Sequence, residues 1–86
     1  MDLRICVLHR GWVLIGEYSR SGSYVTLKKP HVIRCWGTSR GLGEIALGGP
    51  NSGTTLDPEP EDEFHELQVI RTIKCNVENW GDYYGS

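Results

Sequence analysis

Two runs of branched and aromatic residues meet at a tight-turn tetrapeptide, and this hairpin constrains the chain more than any other feature. Trp12-Val13-Leu14-Ile15-Gly16-Glu17-Tyr18 and Tyr24-Val25-Thr26-Leu27-Lys28-Lys29 flank Arg20-Ser21-Gly22-Ser23. Residues of this kind suit a pleated, half-buried surface, and a Gly-bearing turn between two such runs reads as a β-hairpin. Period-2 alternation puts Trp12, Leu14 and Gly16 on one face of the first strand and turns Val25 and Leu27 inward on the second. Upstream, Leu3-Arg4-Ile5-Cys6-Val7-Leu8 places Ile5 and Val7 opposite Cys6 and Leu8. Downstream, Pro30 lacks an N–H and ends or offsets the ladder before His31-Val32-Ile33-Arg34-Cys35-Trp36 forms a further strand. In that strand Ile33 and Cys35 share one face, and Arg34 and Trp36 share the other with Val32.

The rest of the chain carries fewer strand signals. Residues 37–50 hold five of the eleven glycines, and only Leu42 to Leu47 suits a helical turn. Asp57-Pro58-Glu59-Pro60-Glu61-Asp62-Glu63 is an acidic, proline-bearing connector and reads as a solvated surface loop. The last strand, Phe64 to Cys75, changes apolar phase midway, which a β-bulge near Ile70-Arg71 would reconcile. The expected architecture is all-β: a small barrel or curled antiparallel sheet of about five or six strands, with at most one short helical turn. Residues 1–75 form a single small domain. Residues 76–86 read as a flexible tail, unless Trp80, Tyr83 and Tyr84 dock on the body or a neighbour.

Charge and cysteine usage bound the partners. Residues 1–40 carry seven basic side chains against Asp2 and Glu17, whereas residues 41–86 carry only Arg71 and Lys74 against nine acids. The net charge of -2 argues against duplex DNA, which calls for a basic excess and stripe. No apolar run is long enough to span a bilayer, and the start of the chain does not resemble a signal peptide. The three cysteines (Cys6, Cys35, Cys75) are scattered, as are His9, His31 and His65, so no zinc-site spacing exists and no metal or cofactor is expected. Three reduced, mostly buried thiols point to the cytoplasm. A chain of 86 residues has a marginal core by itself, which makes a homo-oligomer an expectation.

The densest departure from plain strand grammar is the cluster Arg34, Trp36, Gly37, Thr38, Arg40, Gly41, Gly43 and Glu44. Glycines let backbone N–H groups approach an anion, arginines fork onto phosphate oxygens, and a tryptophan offers a stacking surface for a base. Thr38 adds a hydroxyl, and Glu44 an acceptor for a ribose hydroxyl or amino group. The competing reading is structural: tight turns at the glycines and a core tryptophan. The spacing is neither a dinucleotide fingerprint nor a phosphate-binding loop of the nucleotidase type. No nucleophile elbow or Cys–His pairing stands out, so a catalytic role is not expected.

The segment Ile33-Arg34-Cys35-Trp36-Gly37-Thr38-Ser39-Arg40-Gly41-Leu42-Gly43-Glu44-Ile45-Ala46 resembles a family of short bacteriophage and prophage proteins of unassigned function. The matching pieces extend to Trp12–Tyr18, Val25–Leu27, Gly49-Pro50, Leu56-Asp57-Pro58 and Ile73-Lys74-Cys75, about three quarters of the chain. The resemblance implies viral origin, hence the host cytoplasm, but no established activity. By class analogy it implies a non-enzymatic protein that blunts host defence. Its guest would be a nucleotide-derived immune signal, held by the cluster above. Alternatively, it would occlude a host defence protein through the acidic loop or a sheet edge, or serve as a structural or assembly protein of the virion.

Overall fold

The computed structural model describes residues 1–37 and 41–84. β1 (Leu3–Leu8) runs into a 3-10 turn at His9–Gly11, and β2 (Val13–Ser21) returns antiparallel to it. The expected hairpin follows, with β3 (Tyr24–Cys35) pairing along the length of β2. β4 (Thr55–Pro58) and β5 (Asp62–His65) then lie end to end on the far edge of β3, β4 against His31–Cys35 and β5 against Tyr24–Leu27. β6 (Val69–Lys74) pairs with the free edge of β1. The result is an all-antiparallel, unclosed sheet in the order β4-β3-β2-β1-β6, with β5 beside β4 on β3.

The acidic connector is therefore not a plain loop. Its two ends are edge strands, because β3 offers a long unpaired ladder and only Glu59, Pro60 and Glu61 fall between the segments that use it. The single last strand expected from Phe64 to Cys75 is also corrected. A 3-10 turn at Glu66–Gln68, capped by Leu67 N–H donating to His65 Nδ1 at 3.1 Å, splits it into strands with different partners. The bulge expected near Ile70-Arg71 is present: Val7 faces Arg71 and Leu8 faces Val69, leaving Ile70 as the extra residue. β5 and β6 thus occupy opposite edges of the sheet with only residues 66–68 between them. That short link forces the sheet to curl. The Arg20–Glu66 ion pair and the Glu66 N–H donating to Ser23 O (2.7 Å) tie the hairpin tip to the same turn.

A second bulge bends β3. Ile15 faces His31 and Glu17 faces Lys28, so Lys29 and Pro30 together oppose Gly16. Lys29 adopts a left-handed φ of 52°, and the proline removes a donor where the ladder is already interrupted. The Pro30 offset is thus accommodated inside one continuous strand.

Curling gives the sheet two apolar sides. On the outer side Leu3, Ile5, Val13, Ile15 and Ile33 pack beneath α1 (Leu42–Gly48) and the C-terminal segment. On the inner side Cys6, Leu8, Leu14 and Leu27 cluster with Tyr18, Val32, Phe64 and Val69. Burial on both faces explains the unbroken apolar run Val13-Leu14-Ile15.

Residues 76–84 dock on the body through Trp80 and Tyr84, the exception allowed for in the expected flexible tail. A 3-10 turn at Val77–Trp80 leads into α2 (Gly81–Tyr84), so helical turns exceed the single one expected. Trp80 is 0% exposed, and its Nε1–H donates to Ile45 O at 3.0 Å. Asn79 Nδ2 donates to Leu47 O at 2.7 Å, bracing the segment against α1. Among the described residues no helix is long and apolar enough to cross a membrane.

Candidate functional site

The glycine-rich segment begins where β3 ends. Asn51 Nδ2 donates to Gly37 O (3.1 Å), Thr54 Oγ1 donates to Trp36 O (3.0 Å), and Gly53 N–H donates to Asn51 Oδ1 (2.7 Å). These bonds clasp residues 36–37 against the 51–54 turn. Gly37 holds a φ of 60°, and a Cβ there would lie 2.5–2.7 Å from the Gly53 backbone. Glycine is required at this point by that close approach. Thr38 and Arg40, both expected to contact a ligand, lie outside the described residues.

The other members of the cluster separate. Trp36 is partly buried against the outer core around Ile33 and Ile45. Arg34 instead reaches Asp57 at 3.3 Å, and Asp57 stands opposite Val32 of the inner cluster. The expectation that Arg34 and Trp36 share a face is corrected: the register shifts between Ile33 and Cys35, and this shift turns Trp36 to the other side. The same region leaves Cys35 exposed, whereas Cys6 is buried and Cys75 half-buried. Gly41 precedes α1, with its carbonyl accepting from Glu44 N–H at 3.2 Å. Gly43 and Glu44 are exposed and line an open depression with Leu47 and Gly48 on the outer surface of α1.

A better-formed cavity opens on the inner side of the curl. Leu8, Leu14, Val32 and Phe64 form its apolar floor, Trp12 one wall, and Glu59, Pro60, Glu61 and Asp62 its rim. Its volume is about 410 Å³, within the range of roughly 300–1,000 Å³ usual for ligand pockets. Each wall has a local cause. Trp12 is set by the β1–β2 turn, in which Arg10 and Gly11 take left-handed φ and Leu8 N–H donates to Trp12 O at 2.8 Å. The residue remains 57% exposed, a large apolar surface without a covering partner. The rim is held by Glu59 N–H donating to Pro30 O at 2.9 Å, directly at the β3 bulge.

The groove is electrostatically one-sided. Three carboxylates line it, no cation does, and among the described residues none of the three forms an ion pair. Sequence reasoning noted the acidic stretch and the shared face of Trp12 and Leu14, but their meeting depends on the bulge at Lys29 and on the curl. Burial pushes the Cys6 and Cys75 thiols up to about 12, the opposite of an activated nucleophile. Among the described residues no group of His, Cys, Asp or Glu side chains is arranged to hold a metal ion.

No protein-family model matches this sequence, and no curated protein matches it.

Proposed function

We propose that this chain is a non-enzymatic binding protein that captures a protein partner through the groove on the inner side of its curled sheet. The observation carrying this reading is Trp12. A tryptophan left more than half exposed beside an apolar floor of four residues is the arrangement of a contact anchor. The raised thiols of Cys6 and Cys75, unsuited to nucleophilic attack, fit a role without catalysis. The resemblance to short phage proteins makes a host defence protein the natural partner and the host cytoplasm the natural place.

Sequestration of a nucleotide-derived signal draws less support from the geometry. Its described cation, Arg34, already faces Asp57, and its stacking surface, Trp36, packs into the outer core. A surface ion pair of this kind is worth only about 0–1 kcal/mol, so a phosphate could displace it, but the two side chains do not converge.

The test is affinity capture from bacterial lysate with the wild-type chain and with Trp12→Ala. A protein retained by the first and lost with the second is expected. Retention unchanged by Trp12→Ala, or a nucleotide released on heating the purified chain and detected by mass spectrometry, would overturn the reading.

A further inference from the structure

The rim of the groove limits how another chain can lie in it. Pro58 and Pro60 have no N–H, and the Glu59 N–H is committed to Pro30 O. This stretch therefore cannot supply the regular donors that strand addition needs, and recognition falls to side chains. Among the described residues no ion pair engages Glu59, Glu61 or Asp62: Arg34 pairs with Asp57, Arg20 with Glu66 and Arg4 with Asp2. Three carboxylates on the rim of an apolar floor give this face a negative charge that complements a positively charged partner.

Resting on the capture reading above, we propose that the groove takes an extended, positively charged polypeptide segment. One bulky apolar side chain enters against Trp12 and Phe64, over Leu14 and Val32. Lysine or arginine residues beside it meet Glu59, Glu61 and Asp62. Apolar floor and acidic rim act together, so neither charge nor hydrophobicity alone suffices.

Fluorescence anisotropy with labelled peptides tests this. The probe alternates lysine and leucine around a single tryptophan; the controls replace every lysine with glutamate, or every leucine and the tryptophan with lysine. The probe is expected to bind at least about tenfold more tightly than either control, and to weaken as salt rises. Combining Glu59→Gln, Glu61→Gln and Asp62→Asn, at exposed or half-exposed positions that leave the core intact, should weaken it by about tenfold or more. Equal binding of the glutamate peptide, or an unaffected triple variant, would overturn the proposal. So would a dimer seen by light scattering and dissolved by Trp12→Ala, which would make the occupant a second copy. If the probe fails while lysate capture still depends on Trp12, the charge chemistry falls and the capture reading stands. If capture ignores Trp12, the capture reading itself falls.

Discussion

Tyr84 shows how much one side chain can hold together. Its hydroxyl lies 2.6 Å from Lys29 O, 3.1 Å from Ile15 O and 2.9 Å from His31 Nδ1. One hydroxyl has one proton, and the short contact assigns it to Lys29 O. His31 must then carry its proton on Nδ1 and donate to the tyrosine oxygen. Tyr84→Phe removes the hydroxyl that joins Lys29 O, Ile15 O and His31 Nδ1 beside the β3 bulge, and a loss of about 1–3 kcal/mol in urea unfolding is expected. The neighbouring histidine adds a pH dependence. Burial lowers the His31 pKa, only partly opposed by the Lys29 carbonyl, so the folded chain prefers the neutral ring. Below the ordinary histidine value near 6.5, the unfolded chain binds a proton that the folded one resists. Stability should therefore fall as pH drops through that value until the folded ring also titrates, and His31→Gln should flatten this part of the melting-temperature profile.

At the scale of elements, bulges decide more than strand propensities do. The phase change in the last apolar run was legible from residue parity, and Ile70 is the extra residue. Parity alone did not show that the same run changes partners. Leu67 and Val69 alternate alike, yet a turn divides them and only Val69 pairs with β1. In β3, Pro30 announces an interruption, but the left-handed residue is its neighbour Lys29. A β-branched side chain is poorly tolerated at such a φ, so Lys29→Val should cost about 1–2 kcal/mol. Lys29→Gly should be neutral or stabilising. Thermal unfolding of the two variants separates a required conformation from a required lysine. If both were neutral, the bulge would not be specified by this residue.

For the molecule as a whole, the C-terminal segment completes the fold. Trp80 and Tyr84 are 0% and 3% exposed, and Gly49 fits only because its missing Cβ would collide with the Asn79 carbonyl. Replacing a buried tryptophan alone costs about 3–5 kcal/mol, a large share of the 5–15 kcal/mol typical of a whole domain. Ending the chain after Cys75 should therefore abolish cooperative unfolding and near-ultraviolet circular dichroism, while much β signal persists. A truncated chain with the parent's melting temperature would show the segment to be dispensable. The candidate site belongs to this scale as well. Its floor comes from β1, β2, β3 and β5, and its rim from a connector that reaches Trp12 only when β3 bends.

What the chain determines locally is set by periodicities and turn chemistry that operate over a few residues. The hairpin around Gly22, the alternation in β1 and the β-rich class follow from these alone. Tertiary structure decided which edge each late strand joins, which face Trp36 turns to, and that an exposed tryptophan meets three carboxylates. Those outcomes depend on contacts between residues far apart in sequence. A one-residue offset in pairing reverses the facing of the side chains that follow it, and the offsets themselves are chosen by the packing of the whole sheet.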